Sequence, residues 1–146
     1  MNVDPTTGEV DETPATVELV PLNIAHLDEH ELLQMFPTPV QCAGALMIAR
    51  ARIAKAPAVL ADLSKAVKDA KRELIIARGY ARQRAEGRDA ETRKLTAESD
   101  ADVIKAWERI DETELALEYA RELRKSLSED IDILRSLNAN FRGEHS

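Results

Sequence analysis

The sequence predicts an all-α protein: an antiparallel two-helix coiled-coil hairpin with a short N-terminal helix and a flexible acidic N-terminal arm. Three observations predict it. The 146 residues are 32% charged and 44% apolar, with 3% aromatic and only five Gly, the profile of long helices rather than of a deep aromatic core. Apolar residues recur at alternating three- and four-residue steps over five heptads, the period that keeps one stripe of a helix against a partner. Two such runs of similar length are joined by a short Gly-containing connection, for which antiparallel return is the natural geometry.

Residues 1–26 are read as the acidic arm. Asp4-Pro5-Thr6-Thr7-Gly8 signals a turn, and Pro14 and Pro21 oppose regular helix. The helical domain then covers 27–142. Asp28 and Glu31 have the spacing of a capping box and start a short helix over 28–36, with Leu32, Leu33 and Phe36 on its apolar face and Pro37 as its stop. Thr38 caps the next start, Pro39 suits the first helical position and Gln41 can reach back to the cap.

A long helix over 39–86 carries Leu46, Ile53, Leu60, Val67, Leu74 and Ala81 at sevenfold spacing, with Ala49, Ala56, Leu63, Ala70 and Ala77 three residues later. Pro57 lacks an amide donor and would clash with the carbonyl of Ile53, so a kink or break is expected near Lys55–Ala56. Gly87 is expected to end this helix in the left-handed conformation. Asp89 caps a short helix over 89–97, and Ser99 with Asp102 marks the start of a long helix over 100–142, closed by Gly143. Its seam is Val103, Ile110, Leu117, Arg124, Ile131 and Asn138, with Ala106, Thr113, Ala120, Leu127, Leu134 and Phe141 as companions.

Charge is segregated along the chain. Residues 1–49 hold eight acidic and no basic residues, 50–94 hold 13 Lys/Arg against six Asp/Glu, and 95–146 hold seven against 13. A basic first rod beside an acidic return rod suits the hairpin, and the acidic arm could solubilise the chain or shield the basic rod. No positively charged start with an apolar run precedes Arg50, and no stretch approaches the ~18 apolar residues of a membrane span, so a cytoplasmic protein is expected.

The residues point away from catalysis. His26 and His30 are four apart, but Leu27 stands where a zinc protease places Glu, and no third ligand is evident; no metal and no cofactor are expected. Asp111, Glu112 and Glu114, and Glu129, Asp130 and Asp132, read as solvated helix faces, since general acid–base work needs a cleft that shifts a pKa. The single cysteine, Cys42, lies in an apolar stretch and is expected buried and inert.

The candidate binding residues are the basic cluster at the hairpin tip: Arg78, Tyr80, Arg82, Arg84, Arg88, Arg93 and Lys94. Such cations can neutralise phosphates and an aromatic can stack a base, or they can simply pair with the acidic rod. A second apolar face is expected from Ile75, Ile76, Leu115, Tyr119 and Ile133, which lie off the main stripe and predict a dimer or small symmetric bundle.

The stretch from Arg82 to Asp102, with Glu86-Gly87 as a turn, Arg93-Lys94 six residues on and an Ala/Glu-rich second rod, resembles small bacteriophage-type helical-hairpin proteins of unassigned activity. The opening Asp4-Pro5-Thr6-Thr7-Gly8-Glu9-Val10 is similar to starts common among phage early proteins. Such proteins are often encoded near single-strand annealing recombinases. The resemblance, over 60–142, implies a non-enzymatic phage or prophage accessory protein that engages a protein partner in DNA recombination or replication, in the host cytoplasm. Direct nucleic-acid binding through the tip and a structural role in the virion are the competing readings.

Overall fold

The computed structural model describes residues 19–144. Among them helix is the only regular element, in the order α1 (Glu29–Met35), α2 (Pro39–Ile53), α3 (Ala56–Arg84), α4 (Ala90–Ala97) and α5 (Ala101–Glu144). The flexible arm expected at the N-terminus falls largely on residues 1–18, outside the described residues. No single helix among those described is long and apolar enough to cross a membrane.

The predicted helix starts follow their local chemistry. Asp28 accepts the amide of Glu31 at 2.8 Å, and Glu31 accepts the amide of Asp28 at 3.0 Å, completing the capping box. Thr38 Oγ accepts the Gln41 amide at 3.2 Å, but the Gln41 side chain accepts from the Thr38 hydroxyl, not from the cap backbone. The predicted long helix 39–86 is two helices. Ala54 and Lys55 close α2 with bonds to Arg50 and Arg52, and Pro57 takes the second position of α3, where its missing N–H deprives no helical carbonyl of a donor.

Three boundaries differ from expectation. No described glycine has positive φ, so Gly87 does not end α3 by a left-handed turn; α3 stops at Arg84. Gly87 is required by proximity instead, because a Cβ there would lie 2.8 Å from Thr92 Cγ2 and 3.2 Å from the Arg93 amide nitrogen. Asp100, rather than Ser99, starts α5: its carboxylate accepts the Asp102 amide at 2.9 Å, while the Ser99 hydroxyl donates back to Thr96. At the other end α5 continues through Gly143 to Glu144.

The described residues fall into two compact units. The first takes its residues from Met1–Val59 and Ala120–Ser146. Its core combines Cys42, Leu46 and Ala49 of α2 with Leu127, Leu134 and Phe141 of α5, and with Leu19 and Ile24 from the segment before α1. That segment corrects the sequence reading twice. The end of the predicted arm is packed, with Leu19 and Ile24 both 0% exposed. Asp130, expected on a solvated face, is 1% exposed. Its Oδ2 accepts the amides of Leu22 at 2.7 Å and Asn23 at 3.3 Å, and its Oδ1 accepts the Ile24 amide at 3.1 Å. Asn23 adopts φ 58°, the left-handed region that Asn tolerates, which lets three successive amides converge on one carboxylate.

This contact also explains why the predicted seam fails here. The companion set Ala120, Leu127, Leu134 and Phe141 is buried as expected, but Arg124 is exposed and Asn138 only half-buried. Burial passes instead to Asp130 and Leu137, three residues beyond each companion. The backbone of Leu22–Ile24 covers Asp130, and Leu137 lies in a groove with Leu32 of α1, so other segments of this unit decide which flank is buried.

The second unit is Leu60–Tyr119. Its core is Ala70, Leu74 and Ala81 of α3, Ala97 of α4, and Val103, Ala106 and Ile110 of α5, with Ala77 packed against them. Residues of both predicted stripes are buried in this one cluster. Along α3, rising residue numbers contact falling numbers on α5: Lys71 with Glu114, Arg78 with Trp107, and Arg84 with Asp102.

Candidate interaction site

All seven predicted tip residues lie in the Leu60–Tyr119 unit, on α3, α4 and the turn between them. The structure divides them into engaged and open groups. Arg78 forms a two-pronged pair with Glu98, Nε–Oε2 3.1 Å and Nη2–Oε1 3.3 Å, and its guanidinium sits 5.3 Å from the Trp107 ring centroid. The hydrogen bond from Arg78, with a smaller contribution from the Trp107 side chain, holds the Glu98 carboxyl below the usual glutamate range. Arg84 donates to Asp100 at 2.8 Å and lies 3.4 Å from Asp102. That bond depresses the Asp100 carboxyl and raises the Arg84 guanidinium. Arg93 donates to the Gly87 carbonyl at 3.3 Å and braces the turn.

Arg82, Arg88 and Lys94 are exposed and none is within ion-pair distance of a carboxylate among the described residues, although the charge of Arg82 helps to depress the Glu98 carboxyl. Tyr80 is 59% exposed and Leu95, on α4, 68%. The open part of the tip is therefore three cations with two large apolar side chains. The tip as a whole is not a cationic patch, because Arg78–Asp102 contains six Lys/Arg and six Asp/Glu. Counting only the basic residues hid that balance.

The predicted second apolar face does not form one patch. Ile75, Ile76, Leu115 and Tyr119 are exposed, but Ile75 and Ile76 are consecutive and point about 100° apart. Leu115 and Tyr119, four apart, do share a strip of α5. Ile133 belongs to the other unit and is half-buried, in a shallow groove with Leu32 of α1 and Leu137.

Trp107 is the residue that sequence reasoning missed. It lies one position past the companion stripe, 43% exposed, and a lone Trp outside both heptad sets on a polar face was the available signal. His26 and His30 are exposed, His30 lying 3.2 Å from the Gln34 amide nitrogen, and no group of three His, Cys, Asp or Glu among the described residues is placed to hold a metal ion. Cys42 is buried, and its thiol donates to the Leu134 carbonyl at 3.4 Å; burial pushes the thiol up from its ordinary value. Comparison of the chain with protein-family models, with curated proteins and with solved structures gives no match.

Proposed function

We propose that the chain is a non-enzymatic interaction module, an antiparallel coiled-coil hairpin whose α3–α4 tip engages a protein partner. The opposed numbering of the Lys71–Glu114, Arg78–Trp107 and Arg84–Asp102 contacts supports the hairpin. The observation that carries the functional reading is the tip's composition: exposed Leu95 and Tyr80 in a segment whose acids and bases balance. Phosphate recognition rewards uncompensated positive charge, whereas a protein partner rewards apolar anchors within a mixed polar rim. Asp130 supports a binding role over catalysis as well, since its oxygens are already committed to three backbone amides. In the phage or prophage setting that the sequence resembles, the partner would act in DNA recombination or replication.

The test is co-purification from the native host, comparing the wild-type chain with Leu95→Glu and Tyr80→Ala. A protein retained by wild type and lost by both variants, with helicity unchanged, is the expected result. Equal retention by all three sinks the reading. Arg82, Arg88 and Lys94 sustain a second reading, direct nucleic-acid binding at the tip; its signature would be DNA affinity that falls steeply with salt.

A further inference from the structure

Resting on the hairpin pairing proposed above, we infer that one edge of the Leu60–Tyr119 unit is a self-complementary surface that docks a second copy of this chain, with α3 of each copy against α5 of the other.

Two contacts define the edge. Lys71 lies 3.7 Å from Glu114, and Arg78 sits over Trp107, so all four side chains emerge on the same side of the α3–α5 pair. Helical spacing fills in the stripe on each helix. On α3, Ile75 lies four residues past Lys71 and three before Arg78, and Arg82 follows four later. On α5, Ile104 lies three before Trp107, and Asp111 falls between Trp107 and Glu114. The α3 stripe is thus Lys-Ile-Arg-Arg and the α5 stripe Ile-Trp-Asp-Glu, one basic and one acidic. Their apolar members, Ile75, Ile104 and Trp107, are 69%, 47% and 43% exposed.

Charge then selects the partner and the symmetry. A phosphate polymer on this edge would meet Glu114 beside Lys71, Glu98 already paired with Arg78, and Asp111 between Trp107 and Glu114 on α5, so nucleic acid is a poor occupant. A second copy can approach by two different twofold axes. An axis across the helices would lay α3 on α3, basic on basic. An axis along the helices lays each basic α3 stripe on the partner's acidic α5 stripe, twice, with the isoleucines and tryptophans between them. Only the second arrangement closes with opposite charges facing, and an isologous interface of this kind needs nothing else. The result is a four-helix bundle with antiparallel neighbours, the usual way of hiding an aromatic anchor that a two-helix pair leaves exposed. The opposite edge lacks this property: its α5 residues mix Lys105 and Arg109 with Asp102, Glu108 and Glu112, with Arg109 and Glu112 already 3.8 Å apart, so it presents no single sign to a partner.

Light scattering on the full chain should give twice the 16.2 kDa chain mass at tens of micromolar. Emission from the single Trp should shift to the red on dilution. Ile75→Glu should raise the dimer dissociation constant at least about tenfold while leaving helicity intact, because it buries a charge at the centre of the contact. Mixing singly substituted Ile75→Cys and Asp111→Cys chains should yield the mixed disulfide. Dominant Ile75→Cys homodimers would indicate α3 on α3 and overturn the arrangement. A monomer at every concentration, or a dimer indifferent to Ile75→Glu, overturns the surface. A short bismaleimide joining Lys71→Cys to Glu114→Cys within one chain reports the hairpin separately. If it fails to link them, the hairpin itself is wrong; if it links them while the unsubstituted chain stays monomeric, only the dimer is.

Discussion

Replacing Asp130 tests the least expected feature of the fold. The carboxylate takes three amides, two on Oδ2 and one on Oδ1, at a site 1% exposed. Asp130→Asn keeps one acceptor oxygen and places an NH2 group against an amide donor. If the oxygen stays with Leu22 and Asn23, the Ile24 amide faces a donor and loses its acceptor. A hydrogen bond to a charged group contributes about 1.5–3 kcal/mol, and a buried unsatisfied amide costs about 1–3 kcal/mol. Detachment of the segment caps the loss, because the amides then regain water. Detachment, however, exposes Leu19 and Ile24, whose burial is worth roughly 1.5–3 kcal/mol each. Staying docked therefore costs about 2–3 kcal/mol for Asp130→Asn, below the roughly 3–6 kcal/mol of apolar burial that detachment forfeits, and about 3–5 kcal/mol for Asp130→Ala, which removes all three bonds and leaves a void. Urea unfolding measures the loss. Amide exchange locates it, since protection at Leu22 and Ile24 should collapse first while that of α3 persists. A variant within about 0.5 kcal/mol of wild type, with both amides still protected, would refute the argument, because surface substitutions are the ones that fall in that range.

The remaining predictions follow from single contacts. Glu98 has a depressed folded-state pKa, so its pairing with Arg78 contributes fully above the ordinary glutamate value and is lost as pH falls through the lower folded value; Trp107 emission should change over that acidic window, and Glu98→Gln should abolish the change. Gly87→Ala should destabilise by about 1–2 kcal/mol through its clash with Thr92, and Thr92→Ala in the same chain should recover part of the melting temperature. Cys42 should resist iodoacetamide at pH 8 in the folded protein and react on unfolding, since burial disfavours its thiolate. Neutralising Arg82, Arg88 and Lys94 together should leave the melting temperature within about 2 °C, since the one charge partner among them, Glu98 for Arg82, lies beyond ion-pair distance at an exposed site; any DNA affinity the chain possesses should fall with them.

Local chemistry sufficed for much of the chain. Asp28 with Glu31, Thr38 with Pro39, and Asp89 act within four residues of themselves, and their helix starts appear where the sequence predicts them. The α3 stripe is equally legible, because Val67, Ala70, Leu74 and Ala81 bury by a period that propensity and packing both favour. Pro57 announced a break, and only its role changed, from interrupting one helix to opening the next. What tertiary structure alone decided involves residues distant in sequence. Asp130 looks solvated among Glu129 and Asp132 because nothing nearby reveals three amides arriving from residues 22–24. Arg78 looks like a free cation until Glu98 and Trp107 come beneath it. Periodicity records which face of a helix is apolar; which flank another segment covers, and which charges find partners there, depends on contacts that no window of sequence contains.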